Sequence, residues 1–210
     1  MGMSVLAWLG AMSIGISLGL LGSGGSILTV PVLVYLIGQD EKLAIAGSLA
    51  IVGSIALAGS LPYLKKKLVD WRIVVLFGIP GMAGTYIGAW LAIWISGLVQ
   101  LALFAVVMLL ASWQMLKPVI LDDTPHEPRE VWKIGLDGLL VGVLTGLVGV
   151  GGGFLIVPAL VLLGGLSMHR AVATSLVIIA LKSFTGFWKY IDVLETQGLV
   201  LDWNVIAIVT

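Results

Sequence analysis

The strongest constraint in this sequence is a series of apolar stretches long enough to cross a lipid bilayer. Residues 43–64, 71–95 and 98–116 contain a single charged residue between them, Arg72. A helix rising 1.5 Å per residue needs about 20 residues to span about 30 Å of hydrocarbon, which these stretches supply. Further apolar stretches lie at 5–21, 131–150 and 171–188, shorter ones at 27–37 and 154–163, and another opens at Trp203. They are apolar on every side, whereas the strand of a membrane barrel alternates apolar and polar residues. The expectation is an all-α polytopic membrane protein.

Composition and charge narrow the function. Charged residues are 10% of the chain and hydrophobic residues 60%, against about a quarter charged in an ordinary soluble domain. Eleven basic and eleven acidic residues cancel, so there is no basic field for nucleic acid. The absence of cysteine removes thiolate chemistry and disulfides, and two histidines offer little to a metal. No zinc-protease motif and no Ser-His-Asp arrangement is evident, so an enzyme is not expected, nor a cofactor. Residues 1–21 lack the early Lys or Arg of a signal peptide and read as mature structure.

One extended polar passage, holding Asp122, Asp123, Pro125, His126, Glu127, Pro128, Arg129 and Glu130, divides the chain. It suggests a first transmembrane unit at 1–117, a connector at 118–132 and a second unit at 133–210. Sliding the sequence by 127 residues superposes the two units. Gly19 falls on Gly146, Gly24 and Gly25 on Gly151 and Gly152, Pro31 on Pro158, Ser48 on Ser175 and Tyr63 on Tyr190. Between residues 9 and 49, 18 of 41 aligned positions are identical, and matched glycines and prolines point to duplication. On this reading the second unit is expected to be incomplete, because it lacks the counterpart of the long stretches at 71–116.

Each unit contains a glycine-rich interruption, Gly22, Ser23, Gly24, Gly25 and Ser26 in the first, and Gly149, Val150, Gly151, Gly152 and Gly153 in the second. Clustered glycine weakens a continuous helix, and lipid cannot satisfy the peptide groups so released. The helices resuming near Ile27 and Phe154 direct free N–H groups and a positive dipole end at the interruption, which suits an anion. Pro31 and Pro158 are expected near the first turn, where a missing N–H costs little. Paired broken helices at mid-bilayer are a transporter design. A nucleotide-binding loop is disfavoured, since the strand and the acidic ribose contact are missing.

Candidate binding residues are Gly22, Ser23, Gly24, Gly25, Ser26, Ile27 and Thr29 in the first unit, and Gly149, Gly151, Gly152, Gly153 and Phe154 in the second. Ser48 and Ser175 lie in matched small-residue stretches. Lys182 is the one basic residue deep in an apolar stretch, so it is expected either to bind an anion or to snorkel toward Lys189. The positive-inside rule puts Lys65, Lys66, Lys67 and the central connector in the cytoplasm. Segments 5–21 and 27–37 form either a V-shaped hairpin, giving inverted units, or one broken crossing, giving parallel units. The hairpin is preferred because the two are together too long for one untilted crossing.

The duplicated glycine-rich interruption followed by Pro31 and Pro158, joined to Ala171-Val172-Ala173-Thr174-Ser175, resembles the TauE/SafE family of sulfite exporters. The resemblance implies a multi-pass transporter of a bacterial or archaeal inner membrane, exporting sulfite, sulfoacetate or related organosulfonates; the two repeated units around their glycine-rich interruptions suggest that it works by alternating access. The alternatives are an anion channel and a carrier of another small organic anion. Partners are the lipid bilayer and a small anionic substrate, with no nucleic acid; a coupling proton or ion and a homodimer are left open.

Overall fold

The structure is a computed structural model that describes residues 26–116, 130–162, 165–199 and 206. Seven helices and no strand occur among these residues. Helix α1 runs Ser26–Pro31 and continues as a π-turn, Val32–Leu36; α2 is Glu41–Lys65. Helix α3 is Trp71–Trp94, with a π-turn at Val74–Gly78 and a closing 3₁₀ turn. Then come α4 (Gly97–Leu116), α5 (Val131–Val148), α6 (Gly153–Leu162) and α7 (Met168–Thr196). Helices α2, α3 and α7 are long and apolar enough to cross a membrane.

Most helix ends fall within two or three residues of the apolar limits, but α7 extends well beyond. Its apolar stretch stops at Trp188, where polar residues begin, yet the helix continues to Thr196. There Lys189 and Asp192 pair at 3.0 Å one turn apart, which supports a solvent-side turn. Lys182 therefore sits at the centre of α7, about 21 Å from either end at 1.5 Å per residue.

Helices α2 and α7 pack side by side and run antiparallel. Gly59 of α2 faces Leu176, Gly53 faces Ser183 and Phe184, and Leu49 faces Gly186, so the numbering rises on one helix as it falls on the other. Their first residues, Glu41 and Met168, are 127 positions apart, 168 minus 41.

Helices α3 and α5 instead run parallel and approach through glycine. A Cβ added at Gly84, Gly88, Gly138, Gly142 or Gly146 would overlap a backbone carbonyl of the facing helix: those of Leu139, Val143, Phe77, Gly81 and Thr85 respectively. Small residues four apart let helix backbones meet, and in lipid such packing stands in for the missing hydrophobic drive.

Exposed tryptophans mark two levels. Trp71, Trp113 and Trp132 lie at the end that carries Lys65, Lys66 and Lys67, while Trp90, Trp94 and Trp188 lie at the other. Trp71 and Trp94 are about 35 Å apart along α3, which fits hydrocarbon plus interface. Arg170, at the start of α7, meets Asp70 at 3.5 Å and so shares the lysine-rich end. Lys42, at the start of α2, donates to the Ala92 carbonyl at the opposite end.

The glycine contacts give a direct test of this packing. Gly142→Val should separate α3 from α5, at an overpacking cost of about 1–3 kcal/mol or more, and lower the melting temperature of the detergent-purified protein. Gly135→Ala, whose Cβ would meet Leu76 and Pro80 at an ordinary 3.7 Å, should melt like the wild type.

Candidate functional site

The interruption of the second unit is built by the end of α5 and the start of α6. Helix α5 closes on Gly149, which has left-handed φ 73° and donates its N–H to the Thr145 carbonyl at 2.9 Å. Glycine takes that conformation without the Cβ penalty, making a regular helix stop. Gly152 repeats it at φ 69°, and its carbonyl accepts from Leu155 and Ile156 at 3.0 Å, starting α6.

Between these two glycines the chain turns back on itself. A Cβ on Gly149 would strike Ile45, near the start of α2, whereas one on Gly152 would strike the Thr145 hydroxyl and lie 3.6 Å from Val141. The backbone has thus returned alongside α5, and α6 proceeds toward the lysine-rich end. There Leu166 donates to the Leu160 carbonyl before α7 opens beside Asp70. Helix α1 heads the other way, since it leads into the start of α2 at the opposite end.

Helices α1 and α6 touch. Ile27 and Val30 of α1 share an apolar cluster with Val148, Val150 and Leu155, which flank the interruption. The prolines lie deeper than expected from the sequence. Pro31 and Pro158 are each the sixth residue of their helix, in the second turn rather than the first. A proline there removes the donor that would meet the carbonyl four residues back, on Ile27 and on Phe154. In α1 the helix passes directly into its π-turn.

Lys182 is fully buried, and its ammonium turns across to α5, 3.4 Å from the Thr145 hydroxyl. Its stem lies along Gly81 of α3, where a Cβ would sit 3.0 Å from Cδ, and the ammonium is 5.9 Å from the Phe77 ring centroid. A Cβ on Gly152 would come within 3.7 Å of it. No ion pair involves Lys182 among the described residues. Snorkelling toward Lys189 is not the conformation adopted, for the side chain points into the helix bundle at mid-length of α7.

The other expected residues divide. The single hydroxyl proton of Ser48 lies within reach of the carbonyls of both Ile45 and Gly149, so the first unit reaches the interruption of the second. Ser175 is buried but bonds to Val172 of its own helix, two turns from Lys182. Thr29 is buried and Ile27 packs beside the interruption. Gly22, Ser23, Gly24 and Gly25 lie outside the described residues, as do the side chains of Ser26 and Phe154. Gly151 and Gly153 are buried at the turn.

Three polar groups went unread in the sequence. Thr145 stands one turn before Gly149, and Ser183 faces Gly151 with its hydroxyl 3.3 Å from the position of an added Cβ. Gln100 of α4 donates to the Leu147 carbonyl at 2.9 Å and to the Tyr190 hydroxyl at 3.0 Å, tying α4 and α7 to the end of α5. A narrow cleft between α4, α5 and α6, lined by Met108, Leu144, Val148 and Leu155, reaches Thr145 and Gly152 from the far side.

The family profile described as Sulfite exporter TauE/SafE matches residues 7–210. The chain belongs to the TauE/SafE family. A probable membrane transporter protein of Xylella fastidiosa strain 9a5c is 34% identical over 91% of this chain and 74% of its own length. The probable membrane transporter protein YunE of Bacillus subtilis is 32% identical over 80% of this chain and 70% of its own. One from Methanocaldococcus jannaschii is 27% identical over 93% and 76%. No solved structure matches. This TauE/SafE protein is thus a multi-pass membrane transporter, of a kind found in bacteria and archaea, and not an enzyme.

The site predicts which glycines matter most. Gly152→Ala should disrupt the turn, because φ 69° is strained for alanine and its Cβ would overlap Thr145. Gly165→Asn, at φ 63° with nothing within 4 Å, should be tolerated. Thermal melting of the two variants against wild type measures the difference.

Proposed function

We propose that this protein is an alternating-access carrier for small oxyanions of the sulfite and organosulfonate class, bound at the interruption between α5 and α6. The observation that carries the reading is Lys182. An ammonium at the centre of a membrane-spanning helix, facing a helix start and a glycine turn, is costly unless an anion uses it. The start of α6 adds backbone N–H groups and a positive dipole end on the same side. The sulfur oxyanion comes from the family's description, and its charge suits this site.

Alternation draws on the arrangement of the two units. Matched helices α2 and α7 are antiparallel, and the short helices α1 and α6 leave a common contact toward opposite ends. Both features support inverted repeats with a pair of opposed hairpins, the arrangement in which rocking one unit against the other exposes a central site to each side in turn. Eight basic residues at the lysine-rich end and its connector, against Lys42 and Lys189 at the other, support a cytoplasmic assignment for that end. A substrate leaving the cell enters from there.

Counterflow in sealed liposomes tests the proposal. Preloaded sulfite should drive saturable uptake of labelled sulfite, inhibited by sulfoacetate and weakly by chloride. Sustained anion conductance without exchange would replace the carrier with a channel, and absence of any anion movement by the full-length protein would refute the reading.

A further inference from the structure

We propose that the oxyanion is held by Lys182 and Ser183 together, so that each chain carries one anion site whose side-chain donors come from the second unit alone. The inference rests on the anion-carrier reading above and assigns its donors.

Ser183 differs from most of the serines and threonines around it. Buried hydroxyls inside helices usually donate back to a carbonyl three or four residues earlier. Ser48, Ser54, Ser60, Thr85, Thr145, Ser175 and Thr185 all do so. Ser183 does not: its oxygen is fully buried and has no partner among the described residues. A buried unsatisfied hydroxyl is costly and calls for an explanation. It faces Gly151 in the turn, and the neighbouring Lys182 ammonium faces Gly152. The Thr145 hydroxyl already donates to the Val141 carbonyl at 2.7 Å, which leaves its oxygen to accept from Lys182. The donors left for an anion are therefore the ammonium and the Ser183 hydroxyl, on either side of two residues without side chains.

The duplication supplies the contrast. At a spacing of 127 residues, Lys182, Ser183 and Thr145 correspond to Ile55, Ala56 and Leu18. All three polar positions are apolar in the first unit, although the glycine interruption is kept. The backbone device is duplicated and the charged recognition is not. Val52 of α2 and Ile179 of α7 close over Gly151, so entry of an anion requires the α5–α6 hairpin to move away from α2.

Titration calorimetry on the full-length protein in nanodiscs, with sulfite and methanesulfonate as probes, tests this. Wild type should bind one anion per chain. Ser183→Ala should weaken both probes about tenfold or more, the loss of one hydrogen bond to a charged group, with a smaller effect on chloride. Lys182→Met should weaken them further, and Ala56→Ser should change nothing. Melting curves show which variants are folded; if Lys182→Met is not, Ser183→Ala decides. A folded Ser183→Ala variant that binds like wild type, or two anions per chain, would overturn the assignment while leaving the carrier intact. Failure of the wild type to bind or move any of these anions would overturn both.

Discussion

Hydrocarbon offers no hydrogen-bond partner to a peptide group, and the whole molecule is organised around the one described place where its chain leaves the helix inside the bundle. From Gly149 to Gly152 the backbone turns through two left-handed glycines. Three of its polar groups are met from inside the protein: the Gly149 N–H by the Thr145 carbonyl, the Gly149 carbonyl by Ser48, the Gly152 carbonyl by the first turn of α6. Such a turn survives in a membrane only when walled off from lipid. Helices α2, α3 and α7 supply the wall.

That wall depends on close approach. Glycines on α3 and α5 bring two backbones into contact, and the space gained lets the Lys182 stem lie along Gly81 and end at Thr145. Packing and the proposed anion site therefore draw on the same few residues. The Lys182 stem runs along Gly81, and its ammonium ends between Gly152 and the Thr145 hydroxyl, while Ser183 faces Gly151 beside it.

Much of this was legible in the sequence, for identifiable reasons. Helix positions followed from runs of apolar residues, since length and composition alone decide what can span a bilayer. The turn at Gly149–Gly152 followed from clustered glycine, and the matched starts of α2 and α7 from the 127-residue offset. The extent of α7 was not legible, because Lys189, Asp192 and Glu195 look like a helix end when their pairing cannot be seen. That misjudged end made Lys182 look close to the interface. Ser183 was missed because a serine in a helix ordinarily bonds to its own backbone, and only the structure distinguishes it from Ser175. The glycine pattern Gly138, Gly142, Gly146 was visible, but its partner helix was not.

In the proposed carrier the two short helices return to opposite faces of the membrane. The chain has no cysteine, so single cysteines can report it without background. Gly38→Cys, after α1, and Ser167→Cys, after α6, are at exposed positions. In sealed vesicles of known orientation, a membrane-impermeant maleimide should label Ser167→Cys from the cytoplasmic side only and Gly38→Cys from the opposite side only. Labelling of both from one side would contradict the opposed hairpins and the carrier built on them.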